Sequence, residues 1–198
     1  MKKTLLAASL VLASGSVMAF EDGGQIDFQG MVEAGTCATT LKSNGAATVS
    51  GTSVVTLDKA KVDDITSEVQ AAAVGAKPAD FSILVDCSKA TGEDTKVNLV
   101  MGSPSYANSK GTLDNNENVV SAGIEAAKGV NLAIHDVTLG TPVQVKLNNP
   151  ADVHTQTLDT TSKIATYNFQ VSYVKANSSD AVKAGFVSSN AVYSLSYE

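Results

Sequence analysis

Along this chain apolar residues recur mostly at every second position, the period of half-buried β-strands. The clearest run lies at the C-terminal end, where Ala191, Tyr193, Leu195 and Tyr197 alternate with Ser194 and Ser196. No turn or further strand follows, so this stretch reads as an exposed edge with open backbone donors and acceptors, which invites another chain. A second alternation begins at Gly24, with Ile26 and Phe28 set between Gln25, Asp27 and Gln29. Gly24 and Gly30 fall on its apolar face, and a strand glycine commonly marks a close backbone approach.

Between these two runs the same period predicts several more strands. Residues 33–41 form one, and after a Ser-Asn-Gly turn at 43–45 residues 47–57 form two, broken near Gly51. Phe81, Ile83, Val85 and Cys87 share one face of a strand over 79–87, which buries Cys87. Val97 and Leu99 share a face over 95–101, Val130, Leu132 and Ile134 over 129–136, and residues 142–147 follow a turn. Tyr167, Phe169, Val171 and Tyr173 make 164–174 the most aromatic strand. Residues 58–74 differ: Val62, Ile65 and Val69 are spaced by three and four, and Gly75 and Pro78 close the segment. That predicts a short helix or an irregular crossover. Residues 102–118 read as the longest loop and 148–161 as a polar connection. Seven to nine strands, no long helix and no internal repeat predict an all-β sandwich.

Composition changes this picture first at the N-terminus. Lys2 and Lys3, the apolar stretch 5–13 and the small residues ending at Ala19 have the layout of a secretory signal peptide, too short to span a membrane. Residues 1–19 are therefore expected to be removed, leaving 179 residues, 198 less 19, for one domain. The precursor carries 14 basic residues, all lysine, and 20 acidic ones. Loss of Lys2 and Lys3 takes the balance from −6 to −8. Without arginine or a basic stripe, no nucleic-acid partner is expected.

The two cysteines, Cys37 and Cys87, most simply form one disulfide in an exported chain. Closing a loop of that length favours the fold by about 4 kcal/mol in the chain-entropy model. A free thiol or a metal pair is the alternative, and no ligand cluster accompanies either cysteine.

Candidate chemistry adds little. His135 alternates outward from Ile134 and His154 sits in a polar stretch, so both read as solvated histidines. No nucleophile motif, zinc motif or phosphate loop is present, and no enzyme activity or cofactor is expected. Asp114, Asn116, Asn118 and Glu125 match the ligand spacing of a calcium loop, but Val119 stands where the turn needs glycine. A polar loop is the better reading. The Asn177-Ser-Ser triplet reads as a turn.

Taken in order, the Gly24-x-Ile-x-Phe-x-Gly30 run, Cys37 and the Phe81-x-Ile lead into Cys87 resemble the type 1-like fimbrial subunits (pilins) of the bacterial chaperone–usher pathway. The runs at 129–136 and 169–173 extend the match. So does the ending, with Gly185 fourteenth from the last residue and Tyr197 penultimate. This resemblance implies an immunoglobulin-like β-sandwich lacking its final strand (33–198), preceded by an N-terminal donor-strand extension (20–32). It implies that Gly24, Ile26 and Phe28 enter a neighbouring subunit, and that Gly185, Tyr193, Leu195 and Tyr197 form the groove strand offered first to a periplasmic chaperone. The implied partners are identical or related pilins, that chaperone, an outer-membrane usher and a host-cell receptor; the implied location is a surface fimbria supporting adhesion. The short acidic lead Phe20-Glu-Asp departs from many relatives and leaves the outermost donor pocket to Phe20 or empty. A minor or tip subunit binding a host glycan is the alternative, though 179 residues leave no room for a separate lectin domain. A secreted enzyme on the same scaffold is a third, remote one.

Overall fold

A computed structural model describes residues 37–43, 46–49 and 53–198. The described strands are β1 (Ala38–Ser43), β2 (Ala46–Val49), β3 (Ala76–Asp86), β4 (Lys96–Gly102), β5 (Leu113–Asp114), β6 (Val130–Asp136), β7 (Val143–Gln144), β8 (Val153–Thr157), β9 (Ile164–Lys175) and β10 (Val192–Tyr197). Among the described residues the only helical piece is a single 3-10 turn, Val62–Asp64. The larger sheet runs β2-β1-β3-β9-β6-β5, with β7 also on β6, and the smaller one runs β10-β4-β8. Every strand pair is antiparallel.

The alternation in sequence becomes the core directly. From the large sheet come Phe81, Ile83, Val85, Leu132, Ile134, Tyr167, Phe169 and Val171; from the small one come Val97, Leu99, Met101 and Leu195. Phe81 stacks on Phe169 with ring centroids 5.3 Å apart, and Tyr167 stacks beyond it at 6.2 Å. Tyr167 also spans the sandwich, its hydroxyl donating to the Val97 carbonyl of β4 at 2.6 Å. A buried phenol needs such a partner.

Several expectations are corrected. Residues 47–57 do not make two strands: β2 ends at Val49, and 53–61 is irregular. The polar connection 148–161 contains a true strand, β8, whose inward residues are His154 and Gln156 rather than apolar ones. The loop 102–118 is partly structural, with β5 inside it and Ser103, Thr112, Leu113 and Asn115 buried. Of 142–147 only two residues are strand, although Val145 and Leu147 enter the core.

Both histidine readings are also corrected. His135 is fully buried, because β6 is covered on both faces. The irregular segment 58–75 lies over the outer face, tied there by the Gln144 amide on Ala71 O (2.9 Å), the Lys175 amide on Ser67 O (2.8 Å) and the Gly75 amide on Ser172 Oγ (2.9 Å). His135 Nε2 meets Gln70 O at 2.7 Å under this strap. Ile65, Ala127 and Val130 form a second, smaller core nearby. His154 belongs to β8, and its side chain is 9% exposed beside Asp136.

Candidate functional site

The site is built on β10. This strand runs antiparallel to β4, with Tyr193 opposite Met101, Leu195 opposite Leu99 and Tyr197 opposite Val97. Because side chains alternate across a strand, Tyr193, Leu195 and Tyr197 take the core face, and Val192, Ser194 and Ser196 face solvent. Leu195 is buried, Tyr197 packs half-buried against the core, and Tyr193 remains 37% exposed. Among the described residues no strand pairs with β10 on the side away from β4. An inward-facing tyrosine left this open is what a missing neighbour strand would produce.

The far end of β10 is buttoned down. The Glu198 backbone oxygen accepts from the Thr95 and Lys96 amides at 2.6 and 2.9 Å, and the Glu198 amide donates back to Lys96 O at 3.0 Å. Its side chain accepts from Asn98 Nδ2 at 2.8 Å. At the near end, Gly185 does not lie in β10. Residues 183–186 instead bridge to 126–128, with the Phe186 amide on Glu125 O at 2.8 Å and the Ala127 amide on Phe186 O at 2.9 Å. A β-carbon on Gly185 would strike the Ala127 amide nitrogen and sit 2.6 Å from Glu125 O. The glycine is thus demanded by a close backbone approach within this chain.

Asn115 holds the same lead-in segment from the other side. Its Nδ2 donates to Ala127 O (2.8 Å) and Phe186 O (3.2 Å), and its Oδ1 accepts from the Ser188 amide (2.8 Å). No local pattern marks Asn115 in the sequence, since its partners lie 12 and more than 70 residues away.

Cys37 and Cys87 form the disulfide, their Cα atoms 4.2 Å apart. They continue the β1–β3 ladder one step beyond the Ala38–Asp86 pair. Gly24, Ile26 and Phe28 lie outside the described residues. The calcium spacing does not assemble a ligand cage: Asp114 Oδ1 accepts from Asn108 Nδ2 (2.7 Å) and Asn131 Nδ2 (3.0 Å), and Asn116 Oδ1 from the Asn118 amide (3.1 Å). Among the described residues no group of three potential metal ligands comes together. Asn177 closes its turn through Asp180 at 2.8 Å.

Residues 26–198 match the family model for Fimbrial protein. A search of curated proteins gives no match. Among solved structures the chain is similar to a subunit of a chaperone–usher pilus studied for its rod uncoiling. The TM-score is 0.54 and the identity 18%, over 90% of this chain and 97% of that one. It is also similar to the antigen and type I fimbria protein BPSL1626 of Burkholderia pseudomallei (TM-score 0.45, 22% identity, 82% and 99% covered). A third is the P pilus rod subunit PapA (0.45, 18%, 89% and 100%). The fold is therefore the immunoglobulin-like sandwich of pilins, and with the family match running from Ile26 to Glu198 the chain belongs to the fimbrial protein family.

Proposed function

We propose that this fimbrial protein is a structural subunit that polymerises by donor-strand exchange, the 20–32 extension of one copy completing the sandwich of the next. The observation that carries this reading is that, among the described residues, β10 pairs on one side only, with Tyr193 inward-facing yet 37% exposed. Backbone groups along such an edge need a partner, and an added strand supplies hydrogen bonds and side chains at alternate positions together. The Gly24-x-Ile26-x-Phe28 pattern has the matching period, so Ile26 and Phe28 enter the apolar cleft while Gln25 and Asp27 face water. Gly24 meets the point of closest backbone approach.

Before assembly a periplasmic chaperone lends the missing strand to Tyr193, Leu195 and Tyr197, and an outer-membrane usher then passes the subunit to the surface fibre, where it supports adhesion. Fimbrial proteins are structural, and no catalytic role is assigned. The test is deletion of residues 20–30 in cells that assemble the fibre. The expected result is a stable, chaperone-bound subunit with no detergent-resistant ladders. Ladders that persist after the deletion overturn the reading.

A further inference from the structure

We infer that Asp136, His154 and Asp152 form a pH-operated latch that holds β8, the strand at the opposite edge of the small sheet from β10, onto the large sheet. His154 stands opposite Leu99 of β4 and turns its ring into the sandwich. Its Nδ1 is 2.7 Å from Oδ2 of Asp136, the last residue of β6, and the two side chains are 9% and 13% exposed. Its Nε2 is buried with Asp152 Oδ2 3.4 Å away, within ion-pair reach but without a hydrogen bond. The Phe169 ring of β9 closes another side, edge-on at 6.2 Å. The carboxylates are themselves held. Asp136 accepts the Thr138 amide at 2.8 Å, and Asp152 accepts the Lys146 amide at 2.6 Å. The nearby Tyr167 hydroxyl is committed to Val97 O.

This geometry selects the charged ring. A neutral imidazole donating from Nδ1 leaves the Nε2 lone pair towards Asp152, and the other tautomer sets a lone pair against Asp136 at 2.7 Å. The imidazolium donates from Nδ1 to Asp136 and brings its positive charge within ion-pair reach of Asp152. Accordingly the hydrogen bond to Asp136 raises the His154 pKa above 6.5 against the opposing effect of burial. Burial pushes the Asp136 carboxyl up, but the bonds from His154 and Thr138 outweigh it and hold it below 3.8.

The signs follow by linkage. The raised His154 contributes fully below its unfolded pKa, 6.5, and that stability is lost as pH rises through the folded value. The lowered Asp136 contributes above 3.8 and is lost as pH falls through its folded value. The latch is closed between, and a rise in pH through the folded His154 value loosens β8. Because β8 pairs with β4 and β4 with β10, the loosening reaches the sheet that carries the open edge.

The test uses the intact mature protein and does not depend on polymerisation. The chain has two histidines, so loss of one imidazole signal in His154→Gln assigns the other in an NMR titration. His154 is expected to titrate above 6.5, and Asp136→Asn to bring it down. In urea unfolding from pH 6 to 9, the wild-type folding equilibrium constant falls about tenfold for each unit by which the folded pKa exceeds the unfolded one. His154→Gln should lack that slope. Where this variant does not fold, the wild-type titration and Asp136→Asn decide. A His154 pKa at or below 6.5, or a wild-type slope retained in His154→Gln, overturns the latch.

Discussion

Gly185 shows how one missing side chain positions the segment that leads into β10. The peptide at Gly185 lies so close to residues 125–127 that an alanine β-carbon would sit 2.6 Å from both Ala126 C and Glu125 O. Backbone rather than flexible side chain surrounds it, so something must shift, at a cost of about 1–3 kcal/mol by analogy with overpacked cores. We expect Gly185→Ala to lower the urea midpoint of the purified subunit itself, without any partner present. A midpoint equal to wild type would place the glycine's importance entirely in partner binding. At this scale the sequence was legible for Leu195 and the cysteines, whose spacing carries the information, but not for Gly185, which was expected on the groove strand and instead packs on residues 125–127. It was not legible for His135, whose outward direction is correct but whose exposure is not. An outer face is solvent-exposed only if no other segment covers it, and the 58–75 strap does. His154 failed for a related reason, since its partner Asp136 is 18 residues away on the opposite sheet.

Among the elements, those with apolar alternation were legible and those without it were not. β3, β4, β6, β9 and β10 all emerge near their predicted bounds, because each puts large apolar residues on one face. β8 reads Val-His-Thr-Gln-Thr, with inward positions filled by His154 and Gln156, so the period-two signal is absent. β6 is strand on both counts, yet its second face is also buried: Asn131 bonds to Asp114, and His135 lies under the largely irregular 58–75 strap. The element-level prediction concerns the β1–β3 ladder, which the disulfide closes across a separation of 50 residues. Replacing Cys37 and Cys87 together with serine should cost about 4 kcal/mol in the chain-entropy model. Urea unfolding of the wild type with and without reductant checks this, and the reduced wild type should match the double variant.

At the scale of the whole molecule, the proposed donor-strand exchange would make each subunit both acceptor and donor, and the two roles should then separate by mutation. On that proposal, Phe28→Asp should forfeit about 1.5–3 kcal/mol of burial in the neighbour's cleft and set a carboxylate there without a partner. Its own β10 edge is untouched. Mixed with wild-type subunits, this variant should accept a strand but never donate one, so it appears at one end of each fibre only and fibres shorten as its share rises. Electron microscopy with a tagged variant tests this; labels along the fibre length would contradict it. The alternation of Tyr193, Leu195 and Tyr197 along β10 was legible in the sequence, while the acceptor role of that edge belongs to the proposal. The donor half rests on the Gly24–Phe28 pattern, which lies outside the described residues.

The Cys37–Cys87 bond also determines how the subunit bears tension. A chain pulled from its N-terminal side passes force at Cys37 through sulfur to Cys87, and from there along 88–95 into β4, the direct neighbour of β10. Everything from Ala38 to Asp86 is bypassed, including β1, β2, β3 and the strap over β6. That spares roughly 170 Å of contour length from being paid out under strain, taking about 3.4 Å for each residue. Oxidised, the subunit is mechanically a short link; reduced, it is a spool. In an oxidised subunit, tension applied at the N-terminal side therefore cannot extend the segment between the two cysteines unless the disulfide is first reduced.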